Sequence, residues 1–132
     1  MIKTTRMGQT GIRAVLDCDL EPELRLALQN QLRGYDAVED QAQKLAEARH
    51  LKMKNTDSAL EHMIEKMTRM KLGRKNRTTR AADMLIQGNT QGLISSLRDL
   101  HNYRGKDSQL MQLNHSLILL EEENIDQMKA FL

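Results

Sequence analysis

The chain contains one Glu-x-x-His sequence, Glu47-Ala48-Arg49-His50, a spacing from which a helix can bind metal. Side chains three residues apart lie on one face of a helix, so a carboxylate and an imidazole can reach the same ion. A dinuclear iron or manganese site in a helical bundle needs two such motifs and a Glu from each of two further helices. The sequence lacks the second motif.

The available carboxylates and imidazoles also point away from a common centre. On the helix that carries the motif, Glu47 lies about 135° and His50 about 75° from the apolar stripe. Glu39 and Glu121 each lie about 55° from the apolar stripe of their own helix. We therefore expect no metal and no cofactor. If a metal is bound after all, the ligands we predict are Glu39, Glu47, His50 and Glu121.

The other reactive side chains are isolated in the sequence. His62 and Glu65 form an ordinary surface pair, His101 lies near a helix end, and His115 lies almost opposite a core seam. Cys18 has no second Cys or His close to it in the sequence. There is no Gly-rich phosphate loop, Ser-His-Asp candidate or zinc-ligand spacing. We therefore predict no catalytic residues and no enzyme.

The composition is typical of one small helical domain. The 132 residues are 39% apolar and 29% charged, with one Pro and nine Met. This length is enough for one core and too short for two ordinary ones, so we predict a single domain over residues 1–132. A net charge of +2 does not by itself indicate nucleic acid or an anionic membrane as a partner.

Cysteine content and hydropathy predict a cytoplasmic protein. The single cysteine, Cys18, excludes an internal disulfide, which fits a reducing compartment. The first residues include no continuous apolar run, and no stretch of about 18 apolar residues occurs anywhere in the chain. We therefore expect neither secretion nor a membrane span.

Apolar residues at steps of three and four predict helices over residues 2–17 and 22–53. Gly8 and Gly11 weaken the first helix, and Pro22 lies in the first turn of the second. The stripe of the second helix is the clearest in the chain: Leu24, Leu28, Leu32, Tyr35, Val38, Ala42 and Leu45.

A short accessory helix and a basic block are predicted between the second and third main helices. A capping cluster at residues 55–58 precedes Leu60, Met63, Ile64, Met67 and Met70, and the helix should end near Gly73. Residues 66–80 then contain seven basic residues and no acidic one: Lys66, Arg69, Lys71, Arg74, Lys75, Arg77 and Arg80. This basic connector could bind nucleic acid, acidic lipid headgroups or an acidic partner. It lacks the stacking aromatics used for single strands, and a solvated connector is the favoured interpretation.

The last two predicted helices each have two seams. The helix from residue 78 or 79 to about 103 carries a core row of Ala82, Ile86, Thr90, Leu93, Leu97 and Leu100. Opposite it runs a row of small residues, Ala81, Leu85, Gly88, Gly92 and Ser95, which fits either a close crossing inside the monomer or a subunit contact. The final helix, capped at Asp107-Ser108, has a core seam of Leu110, Leu113, Leu117, Leu120, Asn124, Met128 and Phe131, and a second seam of Met111, Ile118, Ile125 and Leu132. Two seams imply two neighbours, and the second seam could receive either the short Met-rich accessory helix or a copy of the same protein. As the partner we predict a homodimer or other homo-oligomer.

Residues 81–88, AADMLIQG, and residues 119–132, LLEEENIDQMKAFL, resemble small uncharacterised ferritin-like proteins of Firmicutes. The resemblance is strongest over residues 80–132. It implies an all-α, antiparallel four-helix bundle, with the accessory helix between the second and third main helices, that is cytoplasmic and self-associates.

These observations predict a non-catalytic protein that acts through self-association or through a protein partner. The residues predicted to make that contact are Ala81, Leu85, Gly88, Gly92, Ser95, Met111, Ile118 and Ile125. The alternative is a degenerate ferritin-like iron or manganese binder. A basic nucleic-acid-binding module is a weaker alternative.

Overall fold

The computed structural model describes residues 1–51, 62, 64–66, 72, 73 and 75–132, and within them the regular secondary structure is all helical. Four long helices account for most of these residues: α1, Ile2–Leu16; α2, Pro22–Ala48; α3, Arg77–Asn102; and α4, Ser108–Lys129. The predicted accessory helix and basic connector fall largely on residues outside the described ranges. Residues 64–66, which are described, are helical.

The helix starts follow the capping signals of the sequence. Pro22 occupies the first turn of α2, where its missing N–H removes no hydrogen bond. At the start of α4, the Asp107 carboxylate accepts hydrogen bonds from the backbone N–H groups of Gln109 and Leu110. Both starts lie within a residue of the predicted positions. Helix α3 begins at Arg77, slightly before the predicted start at residue 78 or 79.

Helix α2 ends at Ala48, five residues before the predicted end at residue 53. His50 has a φ of 54°, in the left-handed region that stops a helix. The N–H of His50 donates to the carbonyl of Glu47, and the N–H of Leu51 donates to the carbonyl of Ala46. This pair of bonds is a Schellman motif formed without glycine, so the apolar pattern alone did not reveal the helix end.

Each long helix packs against two others. Helix α1 contacts α2 and α3, and α4 contacts the same two helices from the opposite side. All four helices contribute to one hydrophobic core, which contains Ile12, Val15, Leu24, Leu28, Tyr35, Val38, Ala42, Leu72, Ala81, Ala82, Leu85, Leu113, Leu117 and Met128. No described helix is long and apolar enough to cross a membrane.

The buried face of α3 differs from the predicted one. Of the predicted core row, Ala82 is buried, whereas Leu97 is 38% exposed. The deepest positions are instead Ala81, Ala82, Leu85, Asn89 and Ser96, which include part of the small-residue row. Small side chains let neighbouring helices approach closely, and that gain in packing outweighs the larger apolar area of the Ile and Leu row. The prediction that this larger row forms the core of α3 was therefore wrong in part.

Candidate functional site

A buried polar cluster lies where α2, α3 and α4 meet, and it consists of Tyr35, Asn89, Glu121 and Asn124. The hydroxyl of Tyr35 donates to Oδ1 of Asn89 at 2.8 Å. The side-chain amide of Asn124 donates to the same oxygen at 3.4 Å, and that of Asn89 donates to the carbonyl of Leu85 at 2.8 Å. The side-chain oxygen of Asn89 thus accepts two hydrogen bonds and its NH2 group donates one, which fixes the orientation of this amide within the cluster.

Two glycines make room for this cluster. A Cβ on Gly8 of α1 would lie 2.5 Å from Cζ of the Tyr35 ring, so the ring packs directly against the α1 backbone. A Cβ on Gly92 of α3 would lie 2.7 Å from Oε1 of Glu121 and 3.1 Å from Cγ2 of Thr4. The missing side chains at Gly8 and Gly92 thus let α1 and α3 approach Tyr35 of α2 and Glu121 of α4 closely.

Glu121 is a buried carboxylate with incomplete hydrogen bonding. Its side chain is 1% exposed, and its Oε2 has no hydrogen-bond partner among the described residues. Burial raises the pKa of Glu121 to about 7, and the neighbouring Tyr35 hydroxyl offsets part of that rise. Burial, followed by the nearby Glu121 charge, raises the pKa of Tyr35 above its ordinary value. A carboxyl group that titrates near neutral pH in a cleft is a candidate for a functional role.

Glu121 and Tyr35 form part of the floor of an open cleft between α1 and α3, which we call the α1–α3 cleft. Its volume is about 610 Å³. One wall is the face of α1 that carries Lys3, Thr4, Met7, Gly8, Gly11 and Ile12. The other wall is the face of α3 that carries Met84, Leu85, Gly88, Asn89, Gln91, Gly92 and Ser95.

A second polar cluster joins α1 to α2. Nε2 of the buried Gln9 donates to Asp36 and to Glu39, at 2.8 Å in both cases. Nη2 of Arg6 lies 3.5 Å from Oε1 of Glu39, and Arg13 reaches Asp36 at 3.7 Å. This network compensates the charge of Glu39 with a guanidinium and an amide, which is the chemistry of a structural ion pair.

The structure separates the four predicted alternative metal ligands. Glu39 is half-buried in the network with Arg6 and Gln9, whereas Glu47 and His50 are exposed at the end of α2. Glu121 is buried in the floor of the α1–α3 cleft. Within the residues that the structure describes, no three His, Cys, Asp or Glu side chains lie close enough together to hold a metal ion.

The predicted interaction residues fall into three groups. Ala81, Leu85 and Ile118 are buried within the chain itself. Gly88, Gly92 and Ser95 line the α1–α3 cleft. Met111 is 37% exposed, and Ile125 is half-buried. The small-residue row of α3 therefore makes a close crossing inside the monomer at one end and opens into a cleft at the other.

The sequence contained signals for the polar cluster, although they were not read as a site. Asn124 stands in the core seam of the last helix, and Tyr35 stands in the core stripe of α2. Asn89 lies at a core position of α3, four residues after Leu85. The predicted core row of α3 did not include Asn89, so the sequence showed two polar core positions but not the network that joins them to Asn89.

Comparison with known proteins finds no family model, no curated protein and no solved structure that matches this chain.

Proposed function

We propose that this chain is a non-catalytic helical protein that acts through self-association, and that its helices form an antiparallel four-helix bundle of the ferritin-like type. The single observation that carries self-association is an exposed apolar surface formed by Ile94, Leu97 and Leu100 of α3 with Met111 of α4, which we call the α3–α4 apolar face. Ile94 and Leu97 are each 38% exposed and Met111 is 37% exposed.

The bundle proposal is supported by contacts that run in opposite directions along each pair of neighbouring helices. In every pair, an early residue of one helix meets a late residue of the other. Between α1 and α2 the contacts are Arg6 with Glu39 and Arg13 with Asp36. Between α2 and α4 they are Gln31 with Gln127 and Arg49 with Asp107. Between α3 and α4 they are Asn89 with Asn124 and Ser96 with Asn114. The connections from α1 to α2 and from α3 to α4 are short, residues 17–21 and 103–107, which favours antiparallel packing of these two pairs.

The α3–α4 apolar face reaches from α3 to α4 at Leu100 and Met111. Leu100 and Met111 line the same small surface pocket, and Leu97 lies one turn before Leu100 on the same helix. A second copy is the occupant we propose, because a two-fold axis through this face would bring the same apolar residues of both copies together. Of the residues predicted from sequence, Met111 is the one that lies on this face.

The proposal that the protein is non-catalytic is supported by the positions of its titratable side chains. All four histidines, His50, His62, His101 and His115, are exposed to solvent. Glu39 is occupied by its pairing with Arg6. No observation in the described residues favours the metal-binding or the nucleic-acid-binding alternative over self-association. The single cysteine, Cys18, supports the cytoplasm as the proposed location.

Sedimentation equilibrium of the wild type and of Leu97→Lys tests self-association. The wild type should be a dimer at micromolar concentration. The lysine should weaken the dimer by at least roughly tenfold, because a charged group replaces a partly buried leucine in both copies.

Leu26→Lys is the matched control, since Leu26 is exposed on α2, away from the α3–α4 apolar face. It should sediment like the wild type. A wild type that stays monomeric at the highest soluble concentration, or a Leu97→Lys variant that dimerises as well as the control, contradicts the proposal.

A further inference from the structure

The α1–α3 cleft has the size and walls of a small-molecule site. Its volume of about 610 Å³ falls within the range of roughly 300–1,000 Å³ that is typical of ligand pockets. Among the described residues, no atom lies within 4 Å of a Cβ built on Gly11 or on Gly88. Ile64, from the segment between α2 and α3, also lines the cleft. Met7, Ile12 and Met84 make the walls largely apolar.

The floor of the cleft offers one carboxylate, that of Glu121. Its Oε1 lies against Gly92 of the α3 wall, where a Cβ would approach it to 2.7 Å. The Tyr35 hydroxyl donates to Asn89, one N–H of the Asn89 amide donates to Leu85, and no described residue donates to Oε2 of Glu121. A buried carboxylate with incomplete hydrogen bonding costs free energy, so an occupant of the cleft that donates a hydrogen bond to this carboxylate is favoured.

The charges around Glu121 select the kind of donor. From α2 it faces the Tyr35 hydroxyl, and Gly92 of α3 lies against its Oε1; neither group is charged. The charged residue on the α1 wall of the cleft is the exposed Lys3. A ligand that carries a positive charge would neutralise Glu121 and donate a hydrogen bond at the same time, which makes the stronger kind of contact.

We propose that the α1–α3 cleft binds a compact, largely apolar primary amine, with its ammonium group on the Glu121 carboxylate and its apolar body between α1 and α3.

Fluorescence titration with 1-naphthylmethylamine tests this site directly. The chain has no Trp, so the naphthalene signal is free of overlap from indole. 1-Naphthalenemethanol and 1-naphthoate have the same ring with a neutral and an anionic group. The amine should bind at least tenfold more tightly than the alcohol, and the carboxylate should bind most weakly because it would face Glu121.

Two variants separate the charge from the cavity. Glu121→Gln keeps the shape of the side chain and should weaken the amine at least tenfold while leaving the alcohol unchanged. Gly88→Leu fills the cleft without meeting a neighbouring atom at its Cβ and should abolish binding of both. Glu122→Gln and Gln87→Leu, which change exposed neighbours on the same two helices, are the controls and should bind like the wild type.

The pH dependence provides a further measurement on the same carboxylate. Because the pKa of Glu121 is raised to about 7, the carboxylate is largely neutral at about pH 6 and largely charged at about pH 8. Amine affinity should therefore rise roughly tenfold over this interval in the wild type and stay constant in Glu121→Gln.

The proposal is overturned if the amine does not bind at millimolar concentration, if alcohol and amine bind equally, or if Glu121→Gln binds the amine like the wild type. Circular dichroism confirms that each variant is folded.

Discussion

Burial of the Glu121 carboxylate predicts that the protein loses stability as the pH rises through neutrality. The folded state holds a proton on Glu121 up to a pKa of about 7, whereas the ordinary value of a glutamate is 4.5. Between these values the folded state binds more protons than the unfolded state. The free energy of unfolding therefore decreases with increasing pH in this window, and it is unaffected by Glu121 below the window.

The size of this effect follows from the two pKa values. Raising the pKa from 4.5 to about 7 corresponds to about 3 kcal/mol of free energy of unfolding that is present near pH 4.5 and lost by about pH 8. Glu121→Gln removes the ionisation and keeps an uncharged side chain of the same shape. At about pH 8 the variant should be more stable than the wild type by up to about 3 kcal/mol, and at about pH 4, below both pKa values, the two should be nearly equal.

Urea unfolding followed by far-UV circular dichroism at several pH values measures this difference. Other titrating groups are common to both proteins, so their contributions cancel when the variant is compared with the wild type. Glu122→Gln, an exposed neighbour on the same helix, should show no pH-dependent difference. A difference between Glu121→Gln and the wild type that stays constant from about pH 5 to pH 8 would refute the argument that burial holds this proton.

Two further predictions concern helix packing and capping. Gly8→Ala should destabilise the protein by about 1–3 kcal/mol, because its Cβ would lie 2.5 Å from the Tyr35 ring. Gly11→Ala on the same helix should stabilise it by about 0.5–1 kcal/mol, because no atom of the described residues lies within 4 Å of its Cβ. Equal urea midpoints for the two variants would contradict the close approach of α1 to Tyr35. Asp107→Ala should lower the midpoint of thermal unfolding, since it removes the cap of α4 and the contact with Arg49. Asp126→Ala, an exposed position on the same helix, should unfold at the same temperature as the wild type.

The sequence predicts the helices well where the apolar stripe is regular and the caps are local. Leu24, Leu28, Tyr35 and Val38 of α2 are all buried, as their spacing indicates. The stop at His50 was missed, because a left-handed residue other than glycine leaves no clear sign in the sequence. Local chemistry was therefore enough for helix starts but not for every helix end.

The orientation of α3 shows what periodicity cannot decide. The row of Ile86, Leu93 and Leu97 is the more apolar one, yet Asn89 and Ser96 lie deeper in the fold. Which row faces inward depends on how closely the other helices approach, and that distance is set by Gly8 and Gly92 together with their partners on other helices. Such contacts between distant parts of the chain are invisible to a pattern read along one helix.

The candidate site was out of reach for the same reason. From its angle of about 55° to the core stripe, Glu121 was predicted as a carboxylate that could turn inward, and the prediction named it only as a possible metal ligand. Its raised pKa and its place in the cleft floor depend on side chains from several helices. Asn124 and Tyr35 were assigned to core positions, but the sequence did not indicate that they share one network with Asn89.

Glu121 connects the stability of the fold to the binding proposed for the cleft. A domain of this size has a net stability of roughly 5–15 kcal/mol, so a cost of about 3 kcal/mol at neutral pH is a large fraction of it. A ligand that binds only the folded state and pairs with the charged carboxylate returns part of this free energy. If Glu121→Gln stabilises the fold and abolishes the preference for the amine, one carboxylate accounts for both effects. If it stabilises the fold while amine and alcohol bind alike, burial of Glu121 is a property of packing alone, and the site proposal fails while the stability argument stands.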